Sequence, residues 1–236
     1  MPDDLAAIAA DLAPTGRLRA SINLGNPVLA QGTPESPGGV TVDIARELGE
    51  RLSLPVEFVC FTAARDSFAA MTTGDADLCF LAVDPARAAE IAFTAPYVVI
   101  EGVYAVPEDS PIRSITDVDR DGVRVGVKNG SAYDLYLSRT LDHATVVRGA
   151  EGTEVFLDGK LDVAAGIRQP MTAFVDSHPG HRLIGERFMG IEQAVGTAHD
   201  RRSATVEFLR GFVTELCGNG FVAESLRRSG HGELAG

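Results

Sequence analysis

Apolar positions along the 236 residues fall into short strand-like runs that alternate with segments of helical period. LRASINL (18–24) reads as a strand, VDIARELGERLSL places Ile44, Leu48 and Leu52 on one helical face, and PVEFVCF (55–61) reads as the next strand. That is one strand–helix–strand unit. RDSFAAMTTG predicts a short helix stopped by Gly74, and DADLCFLAV (75–83) predicts a buried strand. Asp84 is a good N-cap and Pro85 a good first helical residue, so a helix start is expected there, followed by the long apolar segment YVVIEGVYAVP (97–107).

After SPIRSITDVDRDG the alternation begins again. VRVGV (123–127), TVVRG (145–149), DVAAG (162–166) and RLIG (182–185) read as strands, separated by the helical segments SAYDLYLSRTL, GTEVFLDGKL and RQPMTAFVDSH. IEQAVGTA (191–198) reads as a return strand, and two closing helices follow, punctuated by Gly218 and Gly220. The expected class is α/β with largely parallel strands. No low-complexity tract or flexible linker separates the two blocks, so a hinge between lobes is expected rather than independent beads.

Composition narrows the partners. A formal net charge of −12, with no run of like charge, argues against nucleic acid and anionic membrane surfaces. No apolar run reaches the roughly 20 residues a membrane-spanning helix needs, so no membrane insertion is expected. The start MPDDLAAIAADLAPTG has no basic leader, its Ala/Leu stretch is broken by Asp11, and Met1 reads as a chain start. The expected location is therefore cytoplasmic as written, or periplasmic if a preceding signal has been trimmed or the start misassigned. Cys60, Cys79 and Cys217 lie far apart in apolar runs and read as reduced thiols.

Three places could carry binding chemistry. Arg87 falls in the first turn of a helix, where the dipole disfavours a cation, and its planar fork suits a carboxylate. In VGVKNGSAYD (125–134), Ser131 and Asp134 form a capping box after Lys128 and Gly130, and N–H groups at such a start can hold an anion. Arg168, in GIRQP (166–170), follows a strand at the edge where open α/β sheets bind ligands. Local alternatives stand beside each: an Arg87–Glu90 pair, an ordinary capped helix with a solvated lysine, and a surface arginine. No metal-ligand spacing, nucleophile elbow or dinucleotide fingerprint occurs, so neither a catalytic site nor a metal or cofactor is expected. SHPGHR, with His178 and His181, reads as a solvated turn rather than a metal site.

From about Gly16 to Gly230 the chain resembles the family 3 extracellular solute-binding proteins, the amino-acid-binding components of ABC transporters. Four segments in order carry the resemblance: GGVTVDIARELGERL, FAAMTTGDADLCF, PARAAEIAFTAPY and VGVKNGSAYD. It implies a two-lobed type II periplasmic-binding-protein fold, with two crossover strands near Glu101–Val106 and Ile191–Thr197 and a ligand cleft between the lobes. The corresponding segments are 1–104 and 194–236 for the first lobe and 105–193 for the second. By position, Arg87 matches the arginine that clamps a ligand carboxylate, and Ser131 with the N–H groups of Gly130 and Ala132 matches the second lobe's share of it. Ala82, Asn23 and Asn26 occupy other ligand-facing positions, and Lys128 and Arg168 add positive charge.

Departures from the family pattern shape the expected ligand. Ile167 or Arg168 stands where family members usually carry an aspartate for the ligand ammonium. NLGNPVLAQ lacks the usual stacking aromatic, and Phe80, Leu81 and Ala82 replace small or hydroxylated residues. The expected ligand is a small carboxylate-bearing metabolite, an amino acid or organic acid, bound by a monomer through hinge closure, with an ABC permease as partner. Two alternatives are a cyclohexadienyl dehydratase-like enzyme, for which Asp84 and Glu192 are the candidate acids, and a cytoplasmic ligand sensor.

Overall fold

The structure, a computed structural model, describes residues 3–235; Met1 and Pro2, read above as part of a chain start, lie outside the described residues. The chain divides into two compact units, one comprising the residues up to Val98 together with those from Glu192 onward, the other Val99–Ile191.

The first unit opens with α1 (Asp3–Leu12) and β1 (Leu18–Asn23), then the small hairpin β2 (Gln31–Thr33) and β3 (Ser36–Gly38). It continues with α2 (Val40–Leu52), β4 (Val56–Phe61), α3 (Ala64–Thr72), β5 (Leu78–Ala82) and the single turn α4 (Pro85–Ala88). The strand β6 (Ile91–Pro107) then carries the chain into the second unit at Val98–Val99.

In the second unit follow β7 (Arg124–Lys128), α5 (Ala132–Thr140), β8 (Thr145–Gly149), α6 (Gly152–Asp158), β9 (Val163–Ile167), α7 (Arg168–Ser177) and β10 (His181–Leu183). β11 (Met189–Ala198) returns the chain at Ile191–Glu192, and α8 (Ser203–Gly218) and α9 (Phe221–Arg228) close the first unit.

In the first unit β1 lies between β4 and β5, parallel to both, with Leu18 opposite Val56 and Ala20 opposite Leu78. β11 pairs antiparallel with β5, Gln193 against Ala82. The apolar face anticipated for α2 is buried, with Val40, Ile44, Leu48 and Leu52 all inaccessible to solvent. Gly49 on that helix lets β4 come close, since a Cβ there would lie 2.3 Å from a Val56 methyl. In the second unit β7 lies between β8 and β9, parallel to both, while β6 and β9 run antiparallel, Gly102 against Ile167. Its core gathers Val103, Ala105, Phe156, Leu161, Ala164, Met171 and Phe174.

Two elements differ from the expected pattern. The run around Asp11 is the helix α1, and Asp11 ends it on a specific dock: its carboxylate accepts from the Thr205 hydroxyl at 2.5 Å and from the Arg202 N–H at 3.1 Å. β6 starts at Ile91, so IAFTAP is extended chain rather than a continuation of the preceding helix, which ends after one turn.

One loop of the second unit offers a test of acid stability. The Asp119 carboxylate accepts from the backbone N–H groups of Ala144 at 2.9 Å, His143 at 2.8 Å and Asp142 at 3.1 Å, and these donors hold its pKa below the ordinary value. A group with a lowered folded-state pKa stabilises the fold above the ordinary carboxylate range and loses that contribution as pH falls through the folded value. We expect Asp119→Asn to melt below the parent protein at neutral pH and to flatten the decline in Tm on acidification from about pH 5 to pH 2.5. Parallel Tm–pH curves for the two proteins would contradict this.

Candidate functional site

Each unit presents a set of polar groups at the C-terminal edge of its parallel strands, the edge where open α/β sheets place ligands. In the first unit the strand ends Asn23 and Ala82 and the turn bearing Arg87 meet there. Asp84 caps that turn by accepting from the Ala86 N–H at 2.9 Å, and Pro85 occupies the first helical position, as the residue order predicts. A single turn has too short a dipole to repel a cation strongly, but burial does the opposite of welcoming one. Arg87 is 3% exposed and donates from Nη1 to the Ala82 carbonyl at 3.2 Å. Its pKa is lowered by burial, with Asp84 and Cys79 pulling the other way.

Around it lie further buried polar atoms. Cys79 is fully buried, and burial pushes its thiol up to about 12 although the nearby Arg87 works against that shift. Tyr97 packs edge-on against Phe80 at 6.2 Å between ring centres, and its buried hydroxyl has no partner among the described residues. Asn23 turns the chain by accepting the Gly25 N–H at 3.0 Å. Asn26 is 7% exposed and its side-chain oxygen is buried without a partner.

Thiol labelling reads this environment. Cys217 is exposed, although burial of its thiol raises its pKa, whereas Cys79 is sealed, so at pH 8 we expect Cys217 to react with a thiol reagent in the native state and Cys79 to react only on unfolding. Equal native-state rates for the two would show that the interior around Arg87 is open.

In the second unit only half of the anticipated capping box forms, because the Ser131 N–H donates to the Lys128 carbonyl at 3.1 Å and the Asp134 carboxylate turns to Gly130 instead. Ser131 Oγ accepts the Asp134 N–H at 3.1 Å, and Asp134 Oδ2 in turn accepts the Gly130 N–H at 2.8 Å. Gly130 adopts φ +71°, which brings its N–H back onto that carboxylate. Gly130 therefore offers its N–H to the protein, while the N–H groups of Ala132 and Tyr133 find no acceptor among the described residues. Arg148 pairs with the buried Asp134 at 3.0 Å, so the cap's acid is neutralised. The Tyr133 phenol, at the same helix start, has its pKa driven up by burial, with Ser131 and the Lys128 backbone N–H pulling the other way.

Lys128 is not a solvated charge. Its ammonium pairs with Glu151. Arg168 is likewise engaged: its Nε donates to Glu101 and its Nη2 to the Gly185 carbonyl at 3.0 Å. Glu101 also lies 3.6 Å from Arg187. Glu101, Glu151 and Arg148 were not singled out by sequence reasoning. Only Glu101 leaves a local signal, as the one charged residue inside the apolar run YVVIEGVYAVP.

Among the described residues no group of three or more potential metal ligands comes together, and no helix is long and apolar enough to cross a membrane.

The fold is that of the type II periplasmic binding proteins. The sequence profile of the bacterial extracellular solute-binding proteins, family 3, matches residues 23–228, and the chain belongs to that family. A search of curated proteins returns no match. Among solved structures the chain is similar to a mutant of ArgBP from T. maritima, with a TM-score of 0.75 and 21% identity over 94% of this chain and 98% of that one. It is also similar to AbpA from Streptococcus pneumoniae bound to L-arginine, with a TM-score of 0.76 and 16% identity over 94% and 98% of the two chains. A putative ABC-transporter binding component from Wolinella succinogenes complexed with lysine gives a TM-score of 0.74 and 17% identity over 90% and 95%. At these identities the structural likeness speaks to the fold. The family and these neighbours are binding proteins for small solutes.

Proposed function

We propose that this protein captures a small carboxylate-bearing metabolite by hinge closure and delivers it to an ABC permease. The observation that carries the reading is Arg87, a guanidinium kept at 3% exposure at the ligand-binding edge of a sheet, where burial lowers its pKa. Keeping a cation there costs folding free energy that a bound acid group would offset. Supporting it are the unused N–H groups of Ala132 and Tyr133 at the start of α5.

Binding rather than catalysis fits the acids as well. A dehydratase of this fold would need a carboxyl group held protonated by a raised pKa. The carboxylates with displaced values, Asp11, Asp117, Asp119 and Glu215, are all displaced downward. Asp84, the acid nearest Arg87, spends an oxygen on capping α4.

The test is native mass spectrometry of the protein purified without denaturation, followed by calorimetric titration with the retained compound. A carboxylate-bearing molecule bound one to one is expected. A retained ligand with no acid group, or turnover of prephenate by the purified protein, would overturn the reading.

A further inference from the structure

Arg87 sits on a turn too short to hold its own shape. α4 spans Pro85–Ala88, with the Ala88 N–H bonded to the Asp84 carbonyl at 2.8 Å, and the chain is extended again from Ile91. The bonds of a single turn do not offset the cost of ordering it, so its place is set by what grips its two ends. At the N-terminal end that grip is the Asp84 carboxylate on the Ala86 N–H.

The other end is gripped from far along the chain. Because β6 begins at Ile91, no later helical N–H continues the turn to the Ala88 carbonyl, the kind of acceptor a helix end leaves unmet. His199 meets it: Nε2 lies 2.9 Å from the Ala88 oxygen, and since a carbonyl only accepts, Nε2 carries the ring proton. The segment that bears His199 is itself anchored. Arg201 donates to the Asp11 carbonyl at 2.7 Å and to the buried Asp77 carboxylate at 3.3 Å, and the Arg202 N–H donates to Asp11 at 3.1 Å.

Side-chain packing does not replace this tether. A cavity of about 470 Å³ lies between the Ala88–Phe93 stretch and the first turns of α8, and all of its lining belongs to the first unit. Two side chains span it with hydrogen bonds, His199 to the Ala88 carbonyl and Arg210 Nε to the Phe93 carbonyl at 3.3 Å. The second of these ends on β6, beyond the turn, so the bond that fixes the end of α4 is the one from His199.

Resting on the carboxylate-binding reading of Arg87, we propose that His199 is a positioning residue: it ties the C-terminal end of α4 to the anchored start of α8 and so holds the Arg87 guanidinium, itself bonded to the Ala82 carbonyl, in place for an acid group. His199 acts through Ala88 and not by contact with the bound acid.

Hydrogen exchange on the full, ligand-free chain reads the turn directly. His199→Ala is expected to speed exchange of the Ala88 N–H and of the Glu90 N–H, which is bonded to the Arg87 carbonyl, about fivefold, with β1 and β5 unchanged and Tm within about 4 °C of the parent. His199→Gln, which keeps a side-chain N–H donor, is expected to restore most of the protection. Nitrogen-15 NMR of the parent is expected to find the ring proton on Nε2. In calorimetry with butyrate, succinate and L-glutamate, the best-bound probe is expected to bind about three- to tenfold more weakly to His199→Ala and to recover in His199→Gln. Unchanged exchange at Ala88 and Glu90, a rise shared equally by β1 and β5, no recovery with glutamine, or a ring proton on Nδ1 would overturn the assignment. If His199→Ala does not fold, His199→Gln and the ring tautomer of the parent decide. Arg87→Met separates the two levels: a probe lost by Arg87→Met but kept in full by His199→Ala refutes the positioning role and upholds the carboxylate reading. Binding unchanged in both variants, or no probe bound by the parent, together with a loosened turn, refutes the carboxylate reading and upholds His199 as the tether of α4.

Discussion

Replacing Arg87 with methionine is expected to weaken ligand binding by about 100-fold or more, because truncating one member of a buried charge-assisted pair costs roughly 2–5 kcal/mol. The same substitution is expected to leave the ligand-free fold nearly intact. Arg87 is buried, its lowered pKa shows that burial opposes its charge, and methionine fills much of the same apolar volume. A melt of the ligand-free variant should stay within about 4 °C of the parent, as a change near 1 kcal/mol would give in a chain of this size. The ligand-induced rise in Tm should disappear. Lysine at position 87 keeps the charge but not the planar fork, and is expected to recover only part of the affinity. Unchanged affinity in Arg87→Met would remove Arg87 from the site, and a collapsed fold would assign it to the core.

The largest loss of stability is expected from Asp77→Ala. Asp77 is fully buried and accepts four hydrogen bonds: the backbone N–H of Arg19 at 3.0 Å, Arg19 Nε at 3.0 Å, Arg19 Nη2 at 2.7 Å and Arg201 Nη2 at 3.3 Å. Its own carbonyl accepts from the buried Thr197 hydroxyl at 2.9 Å. Arg201 also donates to the Asp11 carbonyl at 2.7 Å, so this one carboxylate joins β1, the approach to β5, the end of α1 and the start of α8. Removing it leaves two largely buried guanidinium groups without a counter-charge, a change that costs about 3–5 kcal/mol in comparable sites. Chemical denaturation should show that loss as a lower midpoint at unchanged slope. Asp77→Asn, which keeps an acceptor for Arg19, should fall between parent and alanine variant. A loss under about 1 kcal/mol for alanine would show that water replaces the carboxylate.

The two substitutions separate function from fold by the same physical criterion. Asp77 is a buried charge whose partners the protein supplies, with two arginines around it. Arg87 is a buried charge on a one-turn helix at a sheet edge, where burial is the leading influence on its pKa. By that criterion the first belongs to stability, and the second is the residue we propose for a ligand.

Legibility in the sequence followed the range of the interactions involved. The strand–helix alternation, the buried face of α2 at Ile44, Leu48 and Leu52, the cap at Asp84–Pro85 and the Ser131 cap on Asp134 depend on residues within a few positions of one another. Periodicity and capping therefore exposed them. Arg87 was legible for the same reason, since its conflict with the helix start is local. The helix around Asp11 was missed because the carboxylate that interrupts its apolar run is answered by Thr205, 194 positions away.

The candidate site shows the same division. The identities of Arg87, Ser131, Lys128 and Arg168 and their places at strand ends came from order along the chain, and the match to family 3 extends that order over residues 23–228. Their charge states of engagement did not. Lys128 is answered by Glu151, 23 positions on, and Arg168 by Glu101, 67 positions back. Short-range chemistry, set by covalent neighbours, was written in the sequence, whereas the partners of its charged groups depend on which strands lie side by side. That pairing is settled by burial of the whole apolar surface at once, and only the tertiary structure reveals it.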